Sequence, residues 1–366
     1  MQMPLLSLHN ISKRFGATPA VEDVSLEIEH GEFFGLLGPS GCGKTTTLRM
    51  IAGLDSPDTG RISFDDRDIT GLPPERRGFG MVFQNYALFP HLNVFENVAF
   101  GLRARGLPTS NPEYLKDEVF GALSLVQLAD FEPRRVDQLS GGQQQRVAIA
   151  RAIAIEPSLL LFDEPLSNLD VALREETRAE LRALVKRLNL TAVYVTHDQE
   201  EAFALCDRIA VMHQGHVLQV GAPRDLYFQP ANITMAKFLG RNNLIRAVRL
   251  TSSNDPITKF RTVEGGHTLV VKATHDQLMH LPVNKPCVLA IRPEAIFAVR
   301  DDAHPERDNQ INGVVDHFEF SGATTTLTID ANGLKVEVLV LRDANVHTGD
   351  RVSITLPPEQ ITLLSQ

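Results

Sequence analysis

Gly38-Pro39-Ser40-Gly41-Cys42-Gly43-Lys44-Thr45 sets three glycines, a lysine and a hydroxyl at the spacing of a loop that cradles phosphate groups. Gly38, Gly41 and Gly43 allow a tight turn in which successive backbone N–H groups face one concavity, and the helix N-terminus that follows adds its dipole. Lys44 is placed to reach the β- and γ-phosphates of a nucleoside triphosphate such as ATP. The Thr45 hydroxyl is placed to ligate Mg²⁺, with Thr46 beside it in the same turn.

Two further groups bear on the same chemistry. Asp163 and Glu164 end the apolar run Leu159-Leu160-Leu161-Phe162, where adjacent carboxylates repel unless a cation sits between them. Asp163 can lie near the metal through water, and Glu164, pointing elsewhere, can orient or deprotonate an attacking water. Pro165 then stops the strand. The segment Leu139-Ser140-Gly141-Gly142-Gln143 reads as a serine cap, a glycine approach and a helix running through Arg146 to Arg151, again an anion-binding helix N-terminus. Lys44 already serves the one γ-phosphate a single chain holds. The second anion site therefore points to a phosphate held by a second subunit.

Elements that could position these groups are legible around them. Phe33-Phe34-Gly35-Leu36-Leu37 is an unbroken apolar run that predicts a buried strand feeding the phosphate loop, with a helix from Thr45 to Ala52 after it. Leu159 to Phe162 and Thr191-Ala192-Val193-Tyr194-Val195 predict two more buried strands, joined by an amphipathic helix over Val171 to Leu188. Val24 to Ile28 alternates as a half-buried strand does. The alternation of strands and helices from about Leu5 to Gly240 predicts an α/β sheet with crossovers. The stretch from about Phe89 to Leu139, holding Pro108, Pro112 and Pro133, predicts a helical insertion, and the helical subdomain is expected over about 89–155. After Gly240, short runs rich in Val, Ile and Thr alternate with turn signals such as Ala331-Asn332-Gly333. They predict a small all-β domain over 241–366, a barrel of oligonucleotide/oligosaccharide-binding type.

Composition narrows the class. A chain of 366 residues, 43% hydrophobic and 22% charged, suits a soluble protein of two domains. No apolar run approaches the ~20 residues of a membrane-spanning helix. The start Met1-Gln2-Met3-Pro4 lacks the pattern of a signal peptide. A net charge of −9 argues against nucleic acid as a partner. Cys42, Cys206 and Cys287 are odd in number and widely spaced, which suggests neither disulfides nor zinc and fits a reducing cytosol. Cys42 stands where loop amides and Lys44 could lower a thiol pKa, although a small residue tolerated at a variable position explains it as well.

From about Leu5 to Gly240 the chain resembles the ATP-binding subunit of an ATP-binding cassette (ABC) importer. Phe15, in Lys13-Arg14-Phe15-Gly16, matches the aromatic on which adenine stacks, and Gln84, in Val82-Phe83-Gln84-Asn85, the glutamine that touches Mg²⁺ and senses the γ-phosphate. Leu139 to Gln143 matches the signature motif. Ser167-Asn168-Leu169-Asp170 matches the D-loop, with Asn168 where alanine is commoner, and His197 matches the switch histidine. The resemblance implies a homodimer that sandwiches two ATP, each between one phosphate loop and the partner's Ser140 and Gly142. Glu164 would polarise water and His197 donate to the γ-phosphate. It further implies two integral-membrane permease subunits, a separate extracytoplasmic solute-binding protein, and a peripheral place on the cytoplasmic face of the inner membrane. Asn85 to Leu102 would line the groove that receives the permease. The junction Phe238 to Ile245 departs from the Gly-Ser-Pro-x-Met-Asn pattern common in sugar importers and looks nearer the polyamine and ferric iron group. This implies one of those cargoes, with a sugar or sulfate importer as the alternative. Ile291-Arg292-Pro293-Glu294 is shared by all of these and does not discriminate. A soluble regulator driven by ATP closure is the alternative from another class, but the chain shows neither a second cassette nor a coiled-coil insertion.

Overall fold

The computed structural model describes residues 4–104, 112–251, 257–273, 275–279, 281–300, 308–341 and 346–364. Met1 to Met3 and Pro108, used above, lie outside them. The chain divides into two compact units, residues 1–224 and 225–366.

In the first unit, Phe33–Leu37 is buried at every residue and lies in the middle of a six-stranded sheet. The strand order is His216–Gly221, Arg208–His213, Phe33–Leu37, Ala192–Thr196, Leu160–Asp163, Gly80–Val82. All neighbours run parallel except the first pair. Continuous apolar runs are what a sheet covered on both faces requires. Phe33, Phe162 and Tyr194 meet with ring centroids 5.9–6.3 Å apart.

Register places the chemistry. Leu37 pairs with Thr196, Asp163 with Val195 and Val82 with Phe162. The carboxyl ends of four parallel strands therefore share one edge, where ligands of such sheets bind. The phosphate loop, Gln84, Glu164 and His197 each follow one of those ends.

The helix Lys44–Ala52 buries Leu48 and Ile51 in a core that also takes Leu36 and Val193 from the sheet. The same core takes Leu6, Leu8 and Val24 from an antiparallel sheet ordered Thr18–Ile28, Leu6–Phe15, Thr59–Phe64, Arg67–Asp68. The alternating Val24–Ile28 is thus the end of a longer, two-faced strand of this second sheet. The expected insertion is helical, with Val94–Ala104, Pro112–Leu125 and Gly141–Ile153.

The second unit is all-β apart from short helices. Two five-stranded antiparallel sheets enclose one core, to which Phe260 and Leu289 come from one sheet and Leu327, Val336 and Ile354 from the other. The unit begins ahead of Gly240 for a definable reason. Ala236, on the helix Ile233–Phe238, packs with Ala290 and Leu364. Buried Arg292 donates to the carbonyls of Tyr227, Leu239 and Arg241, and Tyr227 donates to Glu294 at 2.6 Å. The Arg292-Pro293-Glu294 run is thus a clasp for the segment leading into the barrel.

Candidate functional site

The phosphate loop is held open by its glycines and filled by its lysine. Gly41 and Gly43 have φ of +77° and +104°, which an L side chain rarely adopts. A Cβ on Gly43 would lie 2.4 Å from the Ala20 carbonyl oxygen, and one on Gly38 2.3 Å from that of Met212. Lys44, 4% exposed, donates from Nζ to the carbonyls of Gly38 at 2.8 Å and Pro39 at 3.0 Å. The ammonium thus sits inside the turn its own amides make. Ser40 and Thr45 are exposed, Pro39 and Thr46 half-buried. Cys42 is buried, and burial pushes its thiol pKa up despite Lys44. The lowered thiol considered from sequence is therefore corrected.

Around the loop the other strand ends converge. Thr45 Oγ1 donates to Asp163 Oδ1 at 3.0 Å. His197 Nδ1 lies 3.0 Å from Glu164 Oε2, and Gln84 Nε2 reaches the same oxygen at 3.5 Å. Burial raises the Asp163 carboxyl; the Thr45 hydrogen bond opposes this, and the negative charge of Glu164 adds to it. The sequence-derived metal ligands, Thr45, Gln84 and Asp163, are hard oxygen donors of the kind Mg²⁺ takes in small number alongside phosphate oxygens and water. A carboxyl raised by burial beside a second carboxylate is what a cation would relieve. The residues present fit the ion.

Glu164 itself is left-handed, with φ +45°, an unfavourable region for a non-glycine residue. It is fastened on both sides: its N–H donates to Val195 O at 3.0 Å, and its carbonyl accepts from Ser167 Oγ at 2.9 Å. The turn swings its side chain away from Asp163 and towards His197.

The second glycine loop is arranged differently. Ser140 and Gln143 cap each other, Gln143 N–H to Ser140 Oγ at 3.4 Å and Ser140 N–H to Gln143 Oε1 at 3.0 Å. Ser140 and Gly141 are exposed, and a Cβ on Gly142 would meet Leu173 at 2.9 Å. Asp170 is exposed and accepts from Leu173 N–H at 3.0 Å as the cap of Val171–Arg187. Phe15 is 54% exposed, its ring 5.8 Å from Lys13 Nζ. These residues do not join the cluster around Glu164.

The contacts of three side chains were not read from the sequence. Asn168 Nδ2 donates to Gln84 O at 2.8 Å, joining two loops of the site. The departure from alanine at 168 was its visible sign. Arg174 donates to Leu169 O at 3.0 Å and approaches Asp198 Oδ2 at 3.5 Å, tying the segment after Glu164 to that after His197. Arg151 reaches the carbonyls of Tyr86 and Ala87.

Comparison with known proteins gives the family. Residues 21–167 match the ABC transporter family and residues 289–364 the TOBE domain. The chain is 44% identical over 337 residues to a spermidine/putrescine import ATP-binding protein of Legionella pneumophila (strain Paris), covering 92% of this chain and 90% of the relative. It is 43% identical over 335 residues to an Fe(3+) ions import ATP-binding protein of Escherichia coli O157:H7, with the same coverages. Among solved structures it resembles the dimeric, post-hydrolysis ATP-binding cassette MJ0796 bound to ADP and Pi. The TM-score is 0.54 at 34% identity, over 60% of this chain and 99% of that one. The chain belongs to the ABC transporter family, as an ATP-hydrolysing, import-type ATP-binding subunit that carries a C-terminal TOBE domain.

Proposed function

We propose that two copies of this chain close around two ATP and so drive a membrane permease that imports a small cation. The observation that carries the reading is the convergence on Glu164 Oε2 of His197 Nδ1 at 3.0 Å and Gln84 Nε2 at 3.5 Å, at the same sheet edge as Lys44.

Lys44 leaves the carbonyls of Gly38 and Pro39 to meet the β- and γ-phosphates, while the backbone N–H groups of residues 40–46 hold their oxygens. Phe15 stacks on adenine with its exposed face. Thr45, Asp163 and Gln84 would hold Mg²⁺, which when bound there neutralises charge on the β- and γ-phosphate oxygens. Glu164 accepts a proton from the water attacking the γ-phosphorus. His197 donates from Nε2 to a γ-phosphate oxygen; donation from both ring nitrogens at once, with Nδ1 to Glu164, is open only to the protonated ring. Ser140, Gly141, Gly142 and Gln143 of the partner copy cover the γ-phosphate from the far side, with Asp170 at the same dimer face. Hydrolysis removes the ligand that holds the two copies together, and the dimer opens.

The cargo class rests on two relatives, whose names give spermidine/putrescine and Fe(3+). Both cargoes are small cations, brought by a separate solute-binding protein to two permease subunits. The chain itself works as a peripheral subunit on the cytoplasmic side of the membrane. The test is ATPase turnover of the purified chain together with capture from native membranes under mass spectrometry. Copurifying permease subunits, with uptake of a polyamine or ferric iron lost on deletion, are expected. Robust turnover with soluble partners only would move the reading to an ATP-driven regulator.

A further inference from the structure

Directly after Gln84 the backbone does something its residues disfavour. Tyr86 and Ala87 are consecutive non-glycine residues with φ of +61° and +47°, both left-handed. Such strain persists only where surrounding groups over-determine it. Here the amides are held locally, Tyr86 N–H by Phe83 O at 2.9 Å and Ala87 N–H by Asn85 O at 2.7 Å. Both carbonyls are held by a single guanidinium: Arg151 donates from Nη2 to Tyr86 O at 2.7 Å and from Nη1 to Ala87 O at 2.6 Å. Its planar fork matches two adjacent carbonyls in a way no ammonium can. The same guanidinium lies 5.9 Å from the centre of the Phe89 ring. Upstream, the Gln84 carbonyl is taken by Asn168 at 2.8 Å. Downstream, Asn97 brackets Phe89, accepting from its N–H at 2.8 Å and donating towards its carbonyl at 3.2 Å. Arg151 stands in the last turn of the helix Gly141–Ile153, whose first residues follow the Ser140 cap.

We propose that Arg151 is a positioning residue: it holds the segment after Gln84 in its left-handed turn and thereby makes the placement of Gln84 depend on the helix that begins at Ser140. The role rests on the assignment of Gln84 to the hydrolytic site. A shift of that helix reaches Gln84 through one rigid side chain and two strained peptide units. Motion of the 85–89 segment is returned to the signature helix by the same route.

The test uses the full-length chain and four variants. Arg151→Lys keeps the charge and loses the fork. It is expected to lower kcat for ATP about tenfold with KM unchanged, equivalent to about 1.4 kcal/mol in the barrier. Amide hydrogen exchange over residues 85–88 should quicken while the phosphate loop stays as it was. Ala87→Gly removes the steric objection to positive φ, so Arg151→Lys with Ala87→Gly should regain most of the lost kcat. Ala87→Val, at an exposed position, loads the turn from the other side and should copy Arg151→Lys with the fold intact. Wild-type kcat in Arg151→Lys, unchanged exchange over 85–88, or no rescue by glycine would each overturn the proposal. Gln84→Ala, run alongside, separates the two levels. If it hydrolyses ATP as the wild type does, the site assignment fails and this proposal with it. If it is impaired while Arg151→Lys is not, the positioning role alone fails.

Discussion

The two glycine-rich loops of this chain use the same residue types to opposite ends. The phosphate loop at 38–45 is closed in on itself: Gly38 and Gly43 have no room for a Cβ, Cys42 is buried, and Lys44 is folded onto the loop's own carbonyls. The signature loop at 139–143 is finished as a helix cap, yet Ser140 and Gly141 remain at the surface. One is a pocket whose lysine has only to change partners when a phosphate arrives. The other lies open at the surface, as the proposed half of a partner's site would. A glycine-rich helix start therefore says that an anion belongs there, and its surroundings say whether the anion comes from the same chain.

The largest expected effects separate the two loops by what each loses. Glu164→Gln, at the phosphate-loop edge, should cut phosphate release by about 10²–10⁴-fold, the usual range for removing a general base, while ATP binding persists. Ser140→Arg should be as damaging to turnover, yet leave ATP binding by the isolated chain as it is. Loss of ATP binding in Ser140→Arg, measured with a fluorescent analogue, would place both loops on one nucleotide.

Glycine substitutions sharpen the contrast in stability. Gly43→Ala forces a Cβ against Ala20 O at a φ of +104° and should cost about 3 kcal/mol in denaturant unfolding. Gly141→Ala meets nothing nearer than Leu169, at 3.7 Å, and should stay within about 0.5 kcal/mol. Equal losses would show that the signature loop is as enclosed as the phosphate loop.

A smaller effect concerns charge. The Asp163 carboxyl is raised by burial, so its contribution to stability is full below the ordinary carboxylate value and is lost as pH rises through the raised one. Ionised Asp163 therefore weighs against the fold of the nucleotide-free chain at neutral pH. Asp163→Asn should raise its Tm there, and the gain should vanish in acid. A Tm lowered by the substitution at neutral pH would contradict this. Smallest of all, Cys42, buried and with its thiol raised, should react with alkylating agents more slowly at neutral pH than a small free thiol does.

Much of this arrangement was legible in the sequence because it is periodic or motif-like. The apolar runs ending in Leu37, Phe162 and Val195 became the buried parallel strands, since only a doubly covered sheet accommodates such runs. The helix predicted from Val171 spans Val171–Arg187. The long, alternating Thr18–Ile28 strand of the second sheet was only partly visible, because bulges at its pairing with Leu6–Phe15 interrupt the period. The left-handed turns at Glu164, Tyr86 and Ala87 had no sign at all: none is a glycine, and each makes a bond with a distant residue, Val195 or Arg151, besides its local ones. Arg151 escaped for the same reason, and Asn168 showed only as a departure from alanine, not as a contact. Side-chain bonds to remote carbonyls leave no spacing to read.

The central claim is that Ser140 of one copy completes the site of the other. Glu164→Gln should convert the chain from monomer to dimer on addition of ATP, measured by light scattering. Glu164→Gln combined with Ser140→Arg should bind ATP equally and stay monomeric. Dimerisation of the double variant at the same ATP concentration, or a single variant that remains monomeric when saturated, would contradict the account.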